Sequence, residues 1–110
     1  MEVDIVKAGE FRRIYDPSVG ESGEWYINDH CFARGVDGTW YLTGITHAEP
    51  ENPQDETDLA HATASGLTQS PWKKQPFALS ADYERWRESI LWAPYVVEHQ
   101  GDPLYVILRR

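Results

Sequence analysis

The sequence predicts an all-β protein made of antiparallel strands, and three observations support this fold class. Segments rich in aromatic and β-branched residues, such as TWYLTGIT at residues 39–46, are typical of strands. Glycine turns separate such segments, above all Asp37-Gly38, a dipeptide typical of β-hairpins. Helical periodicity is nearly absent, because only residues 80–92 show it, with Ser80 as a candidate cap. Strands joined by short turns are therefore expected throughout.

Four strands are expected to form one meander. CFAR at residues 31–34 pairs with TWYLTGIT across the Asp37-Gly38 turn, LAHATA at 59–64 follows an acidic surface loop at 47–58, and PWKKQPFAL at 71–79 comes last. Pro71 and Pro76 lie in the last segment and predict an edge strand, since proline cannot donate a ladder hydrogen bond.

The third strand alternates large and small side chains. Leu59, His61 and Thr63 share one face, and three alanines share the other. The alanine face is expected to pack closely against a neighbouring sheet. His61 itself is expected to be a hydrogen-bonded strand residue rather than a ligand.

The pattern then begins again. LWAPYVVEH at 91–99, a turn at 100–102 and PLYVILRR at 103–110 repeat the earlier order of strand, glycine turn and aromatic strand. Four strands followed by a restart are typical of a β-propeller blade.

The interpretation divides the chain into a lead-in segment, a first blade, and a linker with the first strands of a second blade, namely residues 1–24, 25–79 and 80–110. A propeller needs several blades to close its ring. We therefore expect the chain to be part of a longer protein, or else to complete a ring by self-association through its exposed blade edges.

Composition narrows the classes of partner. Ten Lys and Arg against eighteen Asp and Glu give a net charge of −8, which argues against binding a nucleic-acid backbone. The 13% aromatic content suits strands as well as sugar- or peptide-binding surfaces. Cys31, as a single cysteine, excludes an internal disulfide and a Cys-rich zinc site, and it is expected to be a buried, inert thiol.

The N-terminal sequence MEVDIVKAGEF is acidic and carries no apolar core, so no signal peptide is visible. No apolar run approaches the length of a membrane span. The default expectation is a cytoplasmic protein without a membrane partner, with secretion left open.

Asp29 is the first candidate for chemistry. It stands between Asn28 and His30 at the expected entry to the first strand. The innermost strand of a propeller blade lines the central channel, where a carboxylate can serve as base or nucleophile. An Asx turn, in which Asp29 binds backbone amides, is the alternative. Spacing leaves both interpretations open.

Other titratable residues are weaker candidates. His47, with Glu49 nearby, could orient a substrate hydroxyl or be a loop histidine without a partner. Glu88 is expected to be a solvated loop residue, although it could reach the site. His30 and His47 lack a third ligand at recognisable spacing, so no metal site is predicted. Phosphate-binding loops, CxxC pairs and nucleophile elbows do not occur.

Four stretches together resemble the five-bladed β-propeller glycoside hydrolases, the superfamily of arabinanases, β-xylosidases, levansucrases and invertases (families 43 and 32). They are WYINDH, DGTWYLTGITHAE, LAHATASGLTQSPWKKQP and LWAPYVVEHQGDPLYVIL, which follow one another in the family's order between residues 25 and 108. Each motif is loose, and the order of the four makes the resemblance more specific.

The resemblance implies a carbohydrate substrate, with Asp29 as general base or nucleophile. Aromatic stacking faces and further substrate contacts would come from Trp25, Tyr26, Asn28, His30, His47, Trp92 and Tyr95. No organic cofactor is implied, although members of the family can hold a metal ion at the channel centre. The catalytic acid of the family belongs to the third blade, beyond Arg110.

The chain departs from the family pattern at Tyr95. The family has an aspartate at this position, and a tyrosine phenol is neutral at pH 7. A non-catalytic, carbohydrate-binding propeller is therefore the alternative to an enzyme. A structural β-domain that closes by oligomerising is the third interpretation.

Overall fold

The computed structural model describes residues 4–110, and it confirms an all-β protein with antiparallel sheets. The strands are β1 (Trp25–Arg34), β2 (Trp40–Ala48), β3 (Asp58–Ala64), β4 (Lys73–Ser80), β5 (Leu91–His99) and β6 (Asp102–Arg109). A 3-10 turn at Pro53–Asp55 and a one-turn helix, α1 (Tyr83–Trp86), complete the described elements.

The strands form two sheets. β1 to β4 lie in chain order in a four-stranded antiparallel meander, and β5 and β6 form a separate hairpin. The predicted position of β4 at a sheet edge is confirmed.

Both predicted glycine turns are present. Gly38 has φ +85°, and the Gly35 N–H donates to the Thr39 carbonyl at 2.8 Å to close the first turn. Gln100 and Gly101 both adopt positive φ, as a two-residue hairpin turn of the favoured twist requires.

The first strand and the helix differ most from the prediction. β1 begins at Trp25 rather than at Cys31, because a bulge accommodates the polar triplet within the strand. The helix is limited to Tyr83–Trp86, where the Asp82 carboxylate accepts from the Arg85 N–H and serves as the cap instead of Ser80. Arg87, with φ +58°, ends it.

The alanine face of β3 is covered by the lead-in segment. Tyr15 and Trp72 form one buried cluster with Ala60, Ala62 and Ala64, and the Trp72 N–H donates to the Ile14 carbonyl at 2.6 Å. The expectation that a neighbouring sheet packs on the alanines is therefore wrong. Small side chains permit close approach, and here a tyrosine and a tryptophan make that approach.

The second sheet packs on the opposite face. Leu91 of β5 is fully buried against Ile45 and Leu59, and Ile107 of β6 packs onto the same cluster. The Leu91 N–H donates to the Glu56 carbonyl at 3.0 Å, which fixes the start of the hairpin. The outer face of the hairpin stays exposed, and its large apolar residues are Tyr95, Val97, Leu104, Val106 and Leu108.

Glu88 is buried, contrary to the expectation of a solvated glutamate. It is 3% exposed, accepts from the Asp82 N–H at 3.2 Å, and pairs with the Arg109 guanidinium at 3.3 Å. The last strand supplies the partner charge, so the linker before β5 is tied to the end of β6. Among residues 4–110, no helix has the length and apolar character that crossing a membrane requires.

Candidate functional site

A β-bulge places Asp29 at the surface. Asn28 lies opposite Ile45 and Cys31 lies opposite Thr43, so Asp29 and His30 together oppose the single residue Gly44. Asp29 has φ +41°, a left-handed conformation that aspartate tolerates better than most residues. Within residues 4–110 no amide donates to its carboxylate, so the Asx turn is not formed. The bulge leaves Asp29 exposed at the surface.

Gly44 makes this bulge sterically possible. A Cβ at position 44 would lie 2.8 Å from side-chain carbons of Ile27 and 3.1 Å from the Cβ of His30. The extra residue in β1 thus places the side chains of Ile27 and His30 against Gly44 on the opposing strand. An isolated glycine within a strand pattern indicates such a bulge, and Gly44 in TWYLTGIT is a glycine of this kind.

The hairpin carries a second bulge at the corresponding place. Trp92 lies opposite Leu108 and Tyr95 lies opposite Val106, so Ala93 and Pro94 occupy the irregular position. Ala93 has φ +50°. Pro94 has no backbone N–H, so no ladder hydrogen bond from it is lost at the bulge. Ala93 is therefore the counterpart of Asp29 in the second sheet.

A pocket of about 500 Å³ lies where the two bulges meet, and we name it the bulge pocket. Its lining residues are Asn28, Asp29, Ile45, Glu51, Pro53, Glu56, Trp92, Ala93 and Leu108. The volume falls within the range of small-molecule sites. Three predicted site residues, Asn28, Asp29 and Trp92, are thereby brought together.

The acidic loop supplies two further carboxylates that sequence reasoning missed. Glu51 accepts from the Asn28 side-chain amide at 3.3 Å, and Glu56 accepts from the Tyr26 hydroxyl at 3.1 Å. Glu56 is 4% exposed, although the rest of its loop is largely solvated. Burial, and after it the hydrogen bond to Glu56, raises the pKa of Tyr26 to about 12.

The lining is therefore acidic and rich in hydrogen-bond acceptors. Asp29, Glu51 and Glu56 are its titratable members, and no Lys, Arg or His stands among the lining residues. A ligand that offers several O–H or N–H donors beside an apolar face matches such a lining. The Trp92 side chain itself packs against the buried cluster of Ile45, Leu59 and Leu91, and the Arg110 guanidinium lies 5.8 Å from the centroid of its ring.

The other predicted residues lie outside this pocket. The Trp25 ring contacts those of His47 and Phe77, at centroid distances of 5.6 and 5.9 Å. His30 meets Phe32 edge-on at 5.3 Å. Tyr95 is 63% exposed on the outer face of the hairpin. Tyr26 reaches the pocket through its bond to Glu56.

A larger groove, about 1590 Å³ in volume, lies between the four-stranded sheet and the hairpin, and it is more enclosed than the bulge pocket. His61 lines it and stacks on Tyr41 at 5.9 Å, and burial lowers the pKa of this histidine. The expected hydrogen-bonded strand histidine is instead a stacked one. None of the predicted site residues lines this groove, whereas Asn28, Asp29 and Trp92 line the bulge pocket.

Cys31 is half-buried, and burial raises the pKa of its thiol, which keeps it in the less reactive protonated form. In the described part of the chain, no group of three or more His, Cys, Asp or Glu residues is arranged to hold a metal ion. Comparison of the chain with protein-family models, curated proteins and solved structures finds no match.

Proposed function

We propose that this chain is the N-terminal part of a β-propeller glycoside hydrolase, with Asp29 as general base or nucleophile at an O-glycosidic bond. Residues 25–79 would form the first blade, and residues 80–110 the linker and opening strands of the second. The observation that carries the proposal is the position of Asp29, exposed at a bulge and sharing a pocket with Trp92 of the other sheet.

The relation between the two sheets supports the assignment to successive blades. The hairpin packs its inner face on the four-stranded sheet through Leu91 and Ile107, as neighbouring propeller blades pack face to face. Each unit also begins with a strand that carries a bulge with a left-handed residue. A repeated deformation at corresponding positions is expected of a structural repeat.

The chemistry of the pocket fits a polyhydroxylated ligand. Sugar hydroxyls would donate to the carboxylates, and the sugar ring would contact the half-buried Trp92 side chain beside the Arg110 guanidinium, which lies 5.8 Å from the indole centroid. Glycoside cleavage requires two carboxyl groups on either side of the scissile bond. In this proposal Asp29 is one, and a glutamate beyond Arg110 is the other. Glu51 and Glu56 hold Asn28 and Tyr26 through their hydrogen bonds.

A carbohydrate-binding protein without catalysis is the second candidate. Tyr95 stands where the resembling families carry an aspartate, and its side chain is mostly exposed. The pocket would then bind a sugar without cleaving it.

The test is Asp29→Asn in the full-length protein, assayed on aryl glycosides of neutral furanoses and pyranoses. We expect turnover to be lost while sugar binding survives, because the amide keeps the shape of the side chain but is neither a base nor a nucleophile. Asp55→Asn, an exposed change outside the pocket, is the matched control.

Turnover at the wild-type level in Asp29→Asn would contradict the assignment. Binding without turnover in the wild-type protein supports the binding function instead. Absence of both, together with a discrete multiple of 12.7 kDa for the 110-residue chain, supports the structural oligomer.

A further inference from the structure

Ala93 has an unusual backbone for its residue type. Its φ of +50° lies in the left-handed region, where a residue with a Cβ is disfavoured and where Gly, Asn and Asp are the usual occupants. Strained conformations of this kind concentrate at functional sites. Ala93 lies in a β-bulge and lines the bulge pocket, so its strain falls at the candidate site.

The residue corresponds to Asp29 in the first sheet. Both are the left-handed residues of their bulges, and both line the same pocket from different sheets. Where the first sheet presents a carboxylate, the second presents a methyl group. The volume left free by this small side chain is available to a ligand that contacts Asp29.

We propose that Ala93 is a specificity-determining residue of the bulge pocket, whose small side chain sets the size of the sugar, pentose or hexose, that is accepted beside Asp29 and Trp92. This inference rests on the proposed function, since it concerns the substrate of the same site. The backbone conformation makes it testable, because Gly and Asn suit the left-handed region and differ from alanine in volume.

The experiment compares Ala93→Asn and Ala93→Gly in the full-length protein. The probes are aryl glycosides of a pentopyranose and of the hexopyranose that adds one hydroxymethyl group. Ala93→Asn should raise KM for both by about tenfold or more with little change in kcat, since added volume excludes the ring. Ala93→Gly should lower the ratio of KM for the hexopyranoside to KM for the pentopyranoside.

Gln100→Asn is the matched control. Gln100 also has a left-handed φ, +51°, and belongs to the same hairpin, but it lies in the turn outside the pocket. It should leave both KM values unchanged. Binding of free xylose and free glucose, followed by tryptophan fluorescence, gives dissociation constants that do not depend on turnover.

Wild-type KM and dissociation constants in both Ala93 variants would overturn the inference. If Ala93→Asn fails to fold, Ala93→Gly still tests the inference, because glycine adopts the left-handed conformation at position 93 without steric strain. The proposed function is tested separately: it is contradicted if the Asp29→Asn variant keeps its turnover. If Asp29→Asn loses turnover while the Ala93 variants keep the wild-type KM, the inference about Ala93 is contradicted and the proposed function is not.

Discussion

The position of the Asp29 side chain is decided by its own backbone and by a glycine on the neighbouring strand. A regular strand would send residues 28 to 31 alternately to the two faces. The bulge breaks that alternation. Because Gly44 has no side chain, the side chains of Ile27 and His30 can occupy the space beside it. The presentation of the carboxylate is thus linked to a residue that carries no functional group.

We expect Gly44→Ala to destabilise the protein by about 1–3 kcal/mol, because its Cβ would meet Ile27 at 2.8 Å within a packed sheet. Urea denaturation would measure the free energy of unfolding. Gly66→Ala is the control, since nothing lies within 4 Å of a Cβ at that position. Equal stability of the two variants would show that the bulge does not depend on Gly44.

At the scale of elements, the hairpin is attached at its base and free at its tip. Leu91 is fully buried against the first sheet, and Arg109 closes the base through Glu88. Leu104, farther along the hairpin, is about half exposed. The bulge pocket lies at the attached end, where Trp92 and Ala93 directly follow Leu91. Its geometry therefore depends on the packing of this base.

Leu91→Ala is expected to cost about 2–5 kcal/mol of unfolding free energy, the usual range for a leucine truncated in a core. It should also raise hydrogen exchange at the β5 amides. Leu104→Ala, in the same hairpin, should change stability by no more than about 0.5 kcal/mol. A small effect of Leu91→Ala would mean that the hairpin is held by its hydrogen bonds and ion pair alone.

Local features of the fold were predictable from the sequence, and contacts between distant segments were not. The glycine turns and the edge position of β4 follow from Asp37-Gly38, Gly101 and Pro76, whose effects act within a few residues. The ion pair between Glu88, in the linker before β5, and Arg109, at the end of β6, joins two segments that are distant along the chain, and no local pattern predicts it.

The candidate site likewise combines residues that sequence motifs predict with residues that only contacts between distant segments bring in. Asn28, Asp29 and Trp92 belong to sequence motifs, which predict them as site residues. Glu51 and Glu56 join the pocket only because the acidic loop folds onto β1 and β5, and a run of carboxylates in a loop does not reveal that contact.

On the scale of the whole molecule, the outer face of the hairpin is an exposed apolar surface. Apart from Leu108, which lines the bulge pocket, four large apolar side chains on this face are 44–63% exposed. Exposed apolar patches of this kind usually mark contact surfaces. A two-stranded hairpin is also a marginal sheet by itself. In the proposed propeller, further blade structure would cover this face.

The 110-residue chain is accordingly expected to self-associate through this face at high concentration. Val106→Lys should weaken the association, because a charge would be placed in the centre of the apolar surface. Val36→Lys, at a fully exposed turn position, should not. Sedimentation velocity at several concentrations would measure the difference, and a monomer at all of them would contradict the expectation.

The anchoring of the lead-in segment also determines where proteolysis can shorten the chain. Arg12 and Arg13 are exposed, and the next residue, Ile14, already accepts a hydrogen bond from Trp72. Lys74 holds the stretch that follows through the carbonyls of Pro17 and Val19. The Arg13 carbonyl accepts from the Ser70 hydroxyl at 2.9 Å, so trypsin should trim the terminus after Arg12 and leave the sheet intact. A recombinant form that starts at Trp25, by contrast, would lose Tyr15 and present the alanine face of β3 to water.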